Sequence, residues 1–294
     1  MSGGSAGNVT PPDHDGARRR HSRRCSIDMR LGLVVHPSRP SAAEVAARLA
    51  FAAGERGWKV DTTGIGRWSG ESFDVVVGVG GDGTLLEAAH LAHRADIPVA
   101  GVNLGTVGYL AEFDPDDLEG LLDTLLQRPL PEIGRMTLGA STADGSTWHA
   151  INDVVIEKVL SQRIVQLTVA IDGEHFTTYR ADGIIVATPL GSTAYSLSAG
   201  GPVLDPGLEA LVMTPVAPHS LLSRSLVLRP DTTVTFTVEG DRPVRVNLDG
   251  REATMLTGGE SLTVHRGDRP VRFVSVGGRP FPQGVRRQFG LDHA

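Results

Sequence analysis

The pattern of apolar and polar positions changes near residue 131 and divides the chain into two parts. Before that point, short β-branched runs alternate with segments whose apolar residues recur at helical spacing. Leu31 to Val35 reads as a buried strand, and Ser41 to Gly54 as an Ala-rich helix with Ser41 as its N-cap. Lys59 to Thr63 and Phe73 to Val79 read as further strands. Leu85 to Ala95 reads as an amphipathic helix, Ile97 to Val102 as a strand, and Pro115 to Leu126 as a helix capped by Asp114. Strands alternating with helices predict a parallel sheet.

After Pro129-Leu130-Pro131 the pattern becomes a series of short strand-like runs. These are Ile164 to Ile171, Ile184 to Ala187, Leu226 to Leu228, Thr233 to Val238, Val244 to Leu248 and Leu262 to His265. The turns Asp172-Gly173 and Asp249-Gly250 separate some of them, as hairpins require. Near-helical apolar spacing returns at Phe281, Val285, Phe289 and Leu291. The expected fold class is an α/β N-terminal domain with a parallel sheet plus a mostly β C-terminal domain. Its expected parts are a disordered leader over residues 1–28, the α/β domain over 29–131, a β-rich substrate-binding domain over 132–275, and a segment over 276–294 that packs back on the first domain.

Composition narrows the function classes. The 294 residues are 40% hydrophobic and 21% charged, enough apolar material for two modest cores. Net charge is -6, and the basic run Arg18 to Arg24 is confined to the leader, so a general nucleic-acid binder is not expected. Lysine occurs only at Lys59 and Lys158, an arginine bias given no functional weight. The leader lacks the apolar core of a signal peptide, and no segment is long and apolar enough to span a bilayer. Cys25 is the single cysteine and makes no internal disulfide, which fits a reducing compartment. A cytoplasmic location is the expectation.

Chemistry concentrates in Gly80-Gly81-Asp82-Gly83-Thr84, between a strand and a helix. The glycines permit close backbone approach, so amides at the helix start can face phosphate oxygens. Asp82 places a carboxylate where an anion binder alone avoids negative charge. It suits a general base, a hydrogen-bond acceptor for an attacking hydroxyl, or a partner of magnesium. The competing reading is that Asp82 and Thr84 only cap a helix beginning near Leu85. A Walker A lysine is absent.

This loop resembles that of the NAD kinase family, which shares it with phosphofructokinases and with diacylglycerol and sphingosine kinases. Residues Ala181 to Pro202, ADGIIVATPLGSTAYSLSAGGP, resemble the long signature of NAD kinases of the bacterial, ATP- or polyphosphate-dependent type. Asn103-Leu104-Gly105, Gly108-Tyr109-Leu110, Asn152, Pro218-His219 and Asp249-Gly250 agree as well, so the resemblance runs from about Arg30 to Phe289.

The resemblance implies phosphoryl transfer from ATP or polyphosphate, with Mg2+ or another divalent cation, to the adenosine-ribose 2'-hydroxyl of NAD, giving NADP. It implies that Asp82 is catalytic, that Gly81, Gly83 and Thr84 meet donor or substrate phosphates, and that Tyr109 joins them in binding the cofactor. Asn152, Asp153, Asp182, Thr193, Ala194, Tyr195 and Ser198 would bind NAD or a related nucleotide. No residue is assigned as a resident metal ligand. A homodimer or homotetramer is implied, with no nucleic-acid or membrane partner. Three positions depart from the family pattern: Asp153 stands for Glu, Leu190 for Thr, and Ser225 for the proline after Arg224. They raise as alternatives a paralogue that phosphorylates another nucleotide or nucleoside, and a non-catalytic nucleotide-binding regulator.

Overall fold

A computed structural model of the chain describes residues 28–62, 73–104, 112–160, 163–277 and 280–291. Residues 1–27 of the leader, and Tyr109 with its neighbours, lie outside the described residues. The first part runs β1 (Arg30–Val35), α1 (Pro40–Glu55), β2 (Lys59–Asp61), β3 (Val75–Gly80), α2 (Asp82–Ala95), β4 (Val99–Asn103), α3 (Leu118–Leu125) and β5 (Glu132–Arg135). Strands β1 to β4 pair in parallel in the order β2-β1-β3-β4, as the alternation of elements predicts.

Both faces of that sheet are covered, which is why its strands read as continuous apolar runs. Leu31, Leu33, Val75, Val77 and Val79 pack against Val45 and Leu49 of α1 and Leu121, Leu122 and Leu125 of α3. Val34, Val76 and Val99 face Leu85, Ala88, Ala89 and Ala92 of α2 on the other side.

Two caps differ from expectation. The N-cap of α1 is Arg39, with Pro40 opening the helix and Ser41 inside it, because a proline is preorganised for the first helical position. Asp117, not Asp114, caps α3 by accepting the Gly120 amide, while Asp114 accepts the Asp116 amide in the turn before it.

The second part begins with β6 (Leu138–Thr142), β7 (Thr147–Ala150), β8 (Asp153–Lys158), β9 (Val165–Ile171), β10 (Glu174–Ala181) and β11 (Gly183–Ala187). A 3-10 turn (Leu190–Thr193) and the short α4 (Tyr195–Ser198) follow. Then come β12 (Leu211–Val216), β13 (Leu226–Leu228), β14 (Val234–Glu239), β15 (Val244–Leu248), β16 (Arg251–Leu256) and β17 (Ser261–Arg266). They form two antiparallel six-stranded sheets, ordered β10-β9-β14-β17-β6-β7 and β13-β12-β11-β8-β15-β16.

Period-two alternation sends Val154, Ile156, Ile184, Val186 and Val246 from one sheet against Leu138, Leu167, Val169, Phe236 and Val264 from the other. The outer face of β8, β11 and β12 is covered in turn by Ala199 and Leu204, so the signature segment lies over this sheet. Asp172-Gly173 and Asp249-Gly250 turn the β9-β10 and β15-β16 hairpins, with positive φ at all four residues.

The chain then returns to the first sheet. There β18 (Val271–Val274) pairs parallel to β4 and antiparallel to β5, which extends that sheet to six strands. Helix α5 (Phe281–Gln288) ends the described structure. Among the described residues, no helix is long and apolar enough to cross a membrane.

Candidate active site

In the first sheet the chain leaves β1 for β2 on one side and then for β3 on the other. A parallel sheet opens a crevice at such a reversal, beyond the carboxyl ends of the strands. A cavity of about 350 Å³ occupies that place, lined by His36, Pro37 and Arg39 after β1 and by Gly81 to Thr84 and Glu87 after β3. Arg39 supplies its cationic edge, and one guanidinium nitrogen donates to the Leu104 carbonyl at 2.7 Å.

Helix α2 starts at Asp82, with Gly81 as N-cap and no side-chain cap hydrogen bond. Asp82 and Thr84 therefore lie within the first turn of the helix rather than at its cap position. First-turn amides have no partner inside a helix, so those of Asp82 and Gly83 face the crevice end. The Thr84 amide instead donates to Gly81 O at 2.9 Å. Gly80 is required by the return of this turn over its strand: a Cβ there would stand 2.6 Å from Thr84 Oγ1.

Asp82 also belongs to a second cavity, of about 160 Å³, lined by Gly83, Leu86, Asn152, Leu190, Thr193, Ala194 and Gln288. Its carboxyl therefore stands between two recesses. The residue is open to water at their mouths. Protein nevertheless surrounds much of the carboxyl, and this partial burial raises its pKa above the usual Asp value.

The far wall of the second cavity is built by hydrogen bonds. Asn152 O accepts the Thr188 amide at 2.9 Å, Thr188 Oγ1 donates to Ile151 O at 2.8 Å, and the Gly191 amide donates to Thr188 Oγ1 at 3.0 Å. Gly191 lies so close to the Asn152 carbonyl that no Cβ fits between them. Asp153, 4% exposed, is pushed up to about 7 by burial and by the nearby charge of Asp249, against the opposing effect of the Tyr195 amide.

Residues 9–130 match the description ATP-NAD kinase N-terminal domain, and residues 151–276 match ATP-NAD kinase C-terminal domain. The chain belongs to the NAD kinase family. A NAD kinase of Gemmatimonas aurantiaca is 42% identical over 224 residues, which cover 74% of this chain and 78% of the relative. One of Chlorobium phaeovibrioides is 37% identical over 276 residues, covering 88% and 97%. Among solved structures, a NAD kinase from Archaeoglobus fulgidus in complex with ATP superposes with a TM-score of 0.71 at 26% identity, covering 88% of this chain and 99% of its own. Yeast NADH kinase complexed with NADH shares the fold, with a TM-score of 0.77 at 24% identity and coverage of 91% and 89%. The protein is thus a kinase with the two-part NAD kinase fold.

The remaining residues suggested by the NAD kinase signature are spread around this centre. Thr193 and Ala194 share the smaller cavity with Asp82. Tyr195 is 42% exposed, and its phenol pKa is raised by burial of part of the ring and by Glu157, Asp153 and Asp182. Ser198 is exposed on α4. Asp182 stands at the opposite end of β11 from the signature turn, about 17 Å along a five-residue strand. There it accepts from Lys158 Nζ at 2.6 Å.

The three departures from the family pattern have structural settings. Leu190, 6% exposed, packs with Ile151 and Phe273 against α2 while forming part of the cavity wall. Ser225 Oγ accepts from Thr214 Oγ1 at 3.0 Å, and Thr214 Oγ1 is also 3.0 Å from Ser196 Oγ. A proline there would leave that chain one partner short.

Sequence reasoning missed His36, Pro37, Arg39, Glu87 and Gln288 as lining residues. The first three had a usable signal, because they follow β1, the strand beside the glycine-loop strand. Gln288 carried none, since α5 reaches the cavity only through the tertiary fold.

Proposed function

We propose that this kinase transfers the terminal phosphoryl group of ATP to the adenosine-ribose 2'-hydroxyl of NAD, giving NADP. The observation that carries the reading is the position of Asp82 on the shared wall of two cavities. One is edged by Arg39 and helix-start amides, which suits a polyphosphate chain. The other is lined by Asn152, Thr193 and Ala194, which suits the hydroxyl-bearing acceptor. The names of the relatives and the ATP held by the Archaeoglobus fulgidus structure support the same assignment.

In this mechanism the 2'-oxygen attacks the γ-phosphorus in line. The new O–P bond forms as the bond to the β,γ-bridging oxygen breaks, and ADP leaves. Asp82 takes the hydroxyl proton. Partial burial raises the Asp82 carboxyl pKa above the ordinary Asp value, which makes it a better proton acceptor than an ordinary Asp. Gly83 and the helix start stabilise charge on the transferred group.

Among the described residues, no cluster of three or more His, Cys, Asp or Glu is disposed to hold a metal ion. Mg2+ would be carried mainly by the donor phosphates, with the Asp82 carboxylate in reach. The ion would neutralise phosphate charge. Polyphosphate as donor would use the same crevice. We extend the proposal to a cytoplasmic homodimer or homotetramer, in which a second copy would cover Tyr195.

Leu190 favours one competing reading, an acceptor other than NAD, because it puts an apolar group where the family pattern has a hydroxyl. The test is incubation with MgATP and a panel of NAD, NADH, adenosine and other nucleosides, with the new phosphate located by mass spectrometry and NMR. Phosphate on the 2'-oxygen of NAD is expected. Phosphorylation of a nucleoside in preference to NAD, or of nothing in the panel, would overturn the assignment.

A further inference from the structure

The turn between β15 and β16 carries a carboxylate for which the reaction above has no use. Asp249 adopts a left-handed backbone, φ 50°, and its side chain is 1% exposed. Three successive amides converge on it. Ile151 N–H donates to Oδ2 at 2.7 Å, while Asn152 and Asp153 N–H donate to Oδ1 at 2.7 and 3.0 Å. In return the Asp249 amide donates to Asp153 O at 3.0 Å. Nε2 of His90 on α2 lies 2.7 Å from Oδ2, with its ring off the line of a directed hydrogen bond, so the two side chains are in close polar contact.

A buried carboxylate is stable only where donors replace its lost water. The donors here are the backbone of the very segment that carries Asn152 into the cavity of Asp82. His90 lies on the same helix as Asp82, about 12 Å further along its axis. One carboxylate therefore touches both the acceptor segment and the helix bearing the proposed base.

We propose that Asp249 is a positioning residue of the acceptor site: it grips the amides of Ile151, Asn152 and Asp153 and, through His90, holds Asn152 in register with α2. The inference rests on reading the smaller cavity as the acceptor site.

The test compares Asp249→Asn, His90→Leu and His90→Gln with the unaltered protein in two measurements. The first is amide exchange by NMR at Ile151, Asn152 and Asp153, which needs no substrate. The second is the KM for NAD and for ATP. In Asp249→Asn we expect exchange at those amides to quicken and the acceptor KM to rise by about tenfold or more, the size of a lost charged hydrogen bond, with donor KM within about twofold.

If Asp249→Asn fails to fold, His90→Leu decides. It should show the same split at about threefold, and His90→Gln, which keeps a polar group beside the carboxylate, should reverse part of it. A folded Asp249→Asn protein with unchanged exchange at the three amides overturns the proposal, as do donor and acceptor KM moving together or a His90→Leu protein like the unaltered one. Quickened exchange in a protein that never phosphorylates NAD would leave the clamp standing and remove the functional reading instead.

Discussion

The two walls that meet at Asp82 are made differently. On the glycine-loop side the structure offers backbone amides, three close-set glycines and an open crevice, with Arg39 as its cation. On the signature side Asn152 is held by a buried network through Thr188, Gly191 and Asp249. An arrangement of amides recognises any phosphate chain, whereas a side chain carried on a braced backbone selects one partner. The difference suggests that the first wall governs reaction class and the second governs which hydroxyl reacts.

Substitutions should separate these roles. The largest effect is expected at the junction, where Asp82→Asn should lower kcat by at least about a hundredfold, the low end for a general base. Its melting temperature should move little, because a carboxyl whose pKa is raised by burial alone gives up no stabilising partner when it becomes a neutral amide. On the braced wall, Gly191→Ala forces a methyl against the Asn152 carbonyl and should cost about 1–3 kcal/mol in denaturant unfolding while raising the KM for NAD. On the open wall, Arg39→Ala should raise the KM for ATP roughly tenfold and leave that for NAD unchanged, with no comparable loss of stability. If Gly191→Ala and Arg39→Ala moved the same KM, the contrast between the walls would fail.

A pH dependence is expected on the braced side as well. The folded value of Asp153, about 7, stands above its ordinary 3.8. Its contribution to stability is therefore fully present below the ordinary value and is lost as pH rises through the folded one. Thermal unfolding followed from pH 4 to 8 should show that decline in the unaltered protein and a flatter course in Asp153→Asn. Parallel curves would show that Asp153 does not titrate in this window.

Much of the first wall was legible in the chain. Alternating strands and helices placed the glycine loop between β3 and α2, and the reaction class follows from Asp82 among the glycines. The second wall was less legible from periodicity alone. Residues 188–198 show neither strand nor helix periodicity, and only their likeness to the NAD kinase signature marked them as a site. Strands with polar outward faces, such as β10 and β16, lack an unbroken apolar run and escaped notice, as did β18. Asp249 read as a hairpin turn residue and as a point of agreement with the NAD kinase pattern, but its grip did not show, since the amides it holds lie almost a hundred positions earlier in the chain. Contacts of that range arise from sheet order, which no local pattern encodes.

The most direct test of the central claim returns to Asp82. One preparation of Asp82→Asn would be measured for ATP binding, NAD binding and single-turnover transfer. A base between two intact subsites predicts that both ligands bind within a few-fold of the unaltered affinity while transfer falls by at least about a hundredfold. Transfer at a near-normal rate, or loss of binding as large as the loss of transfer, would contradict the account.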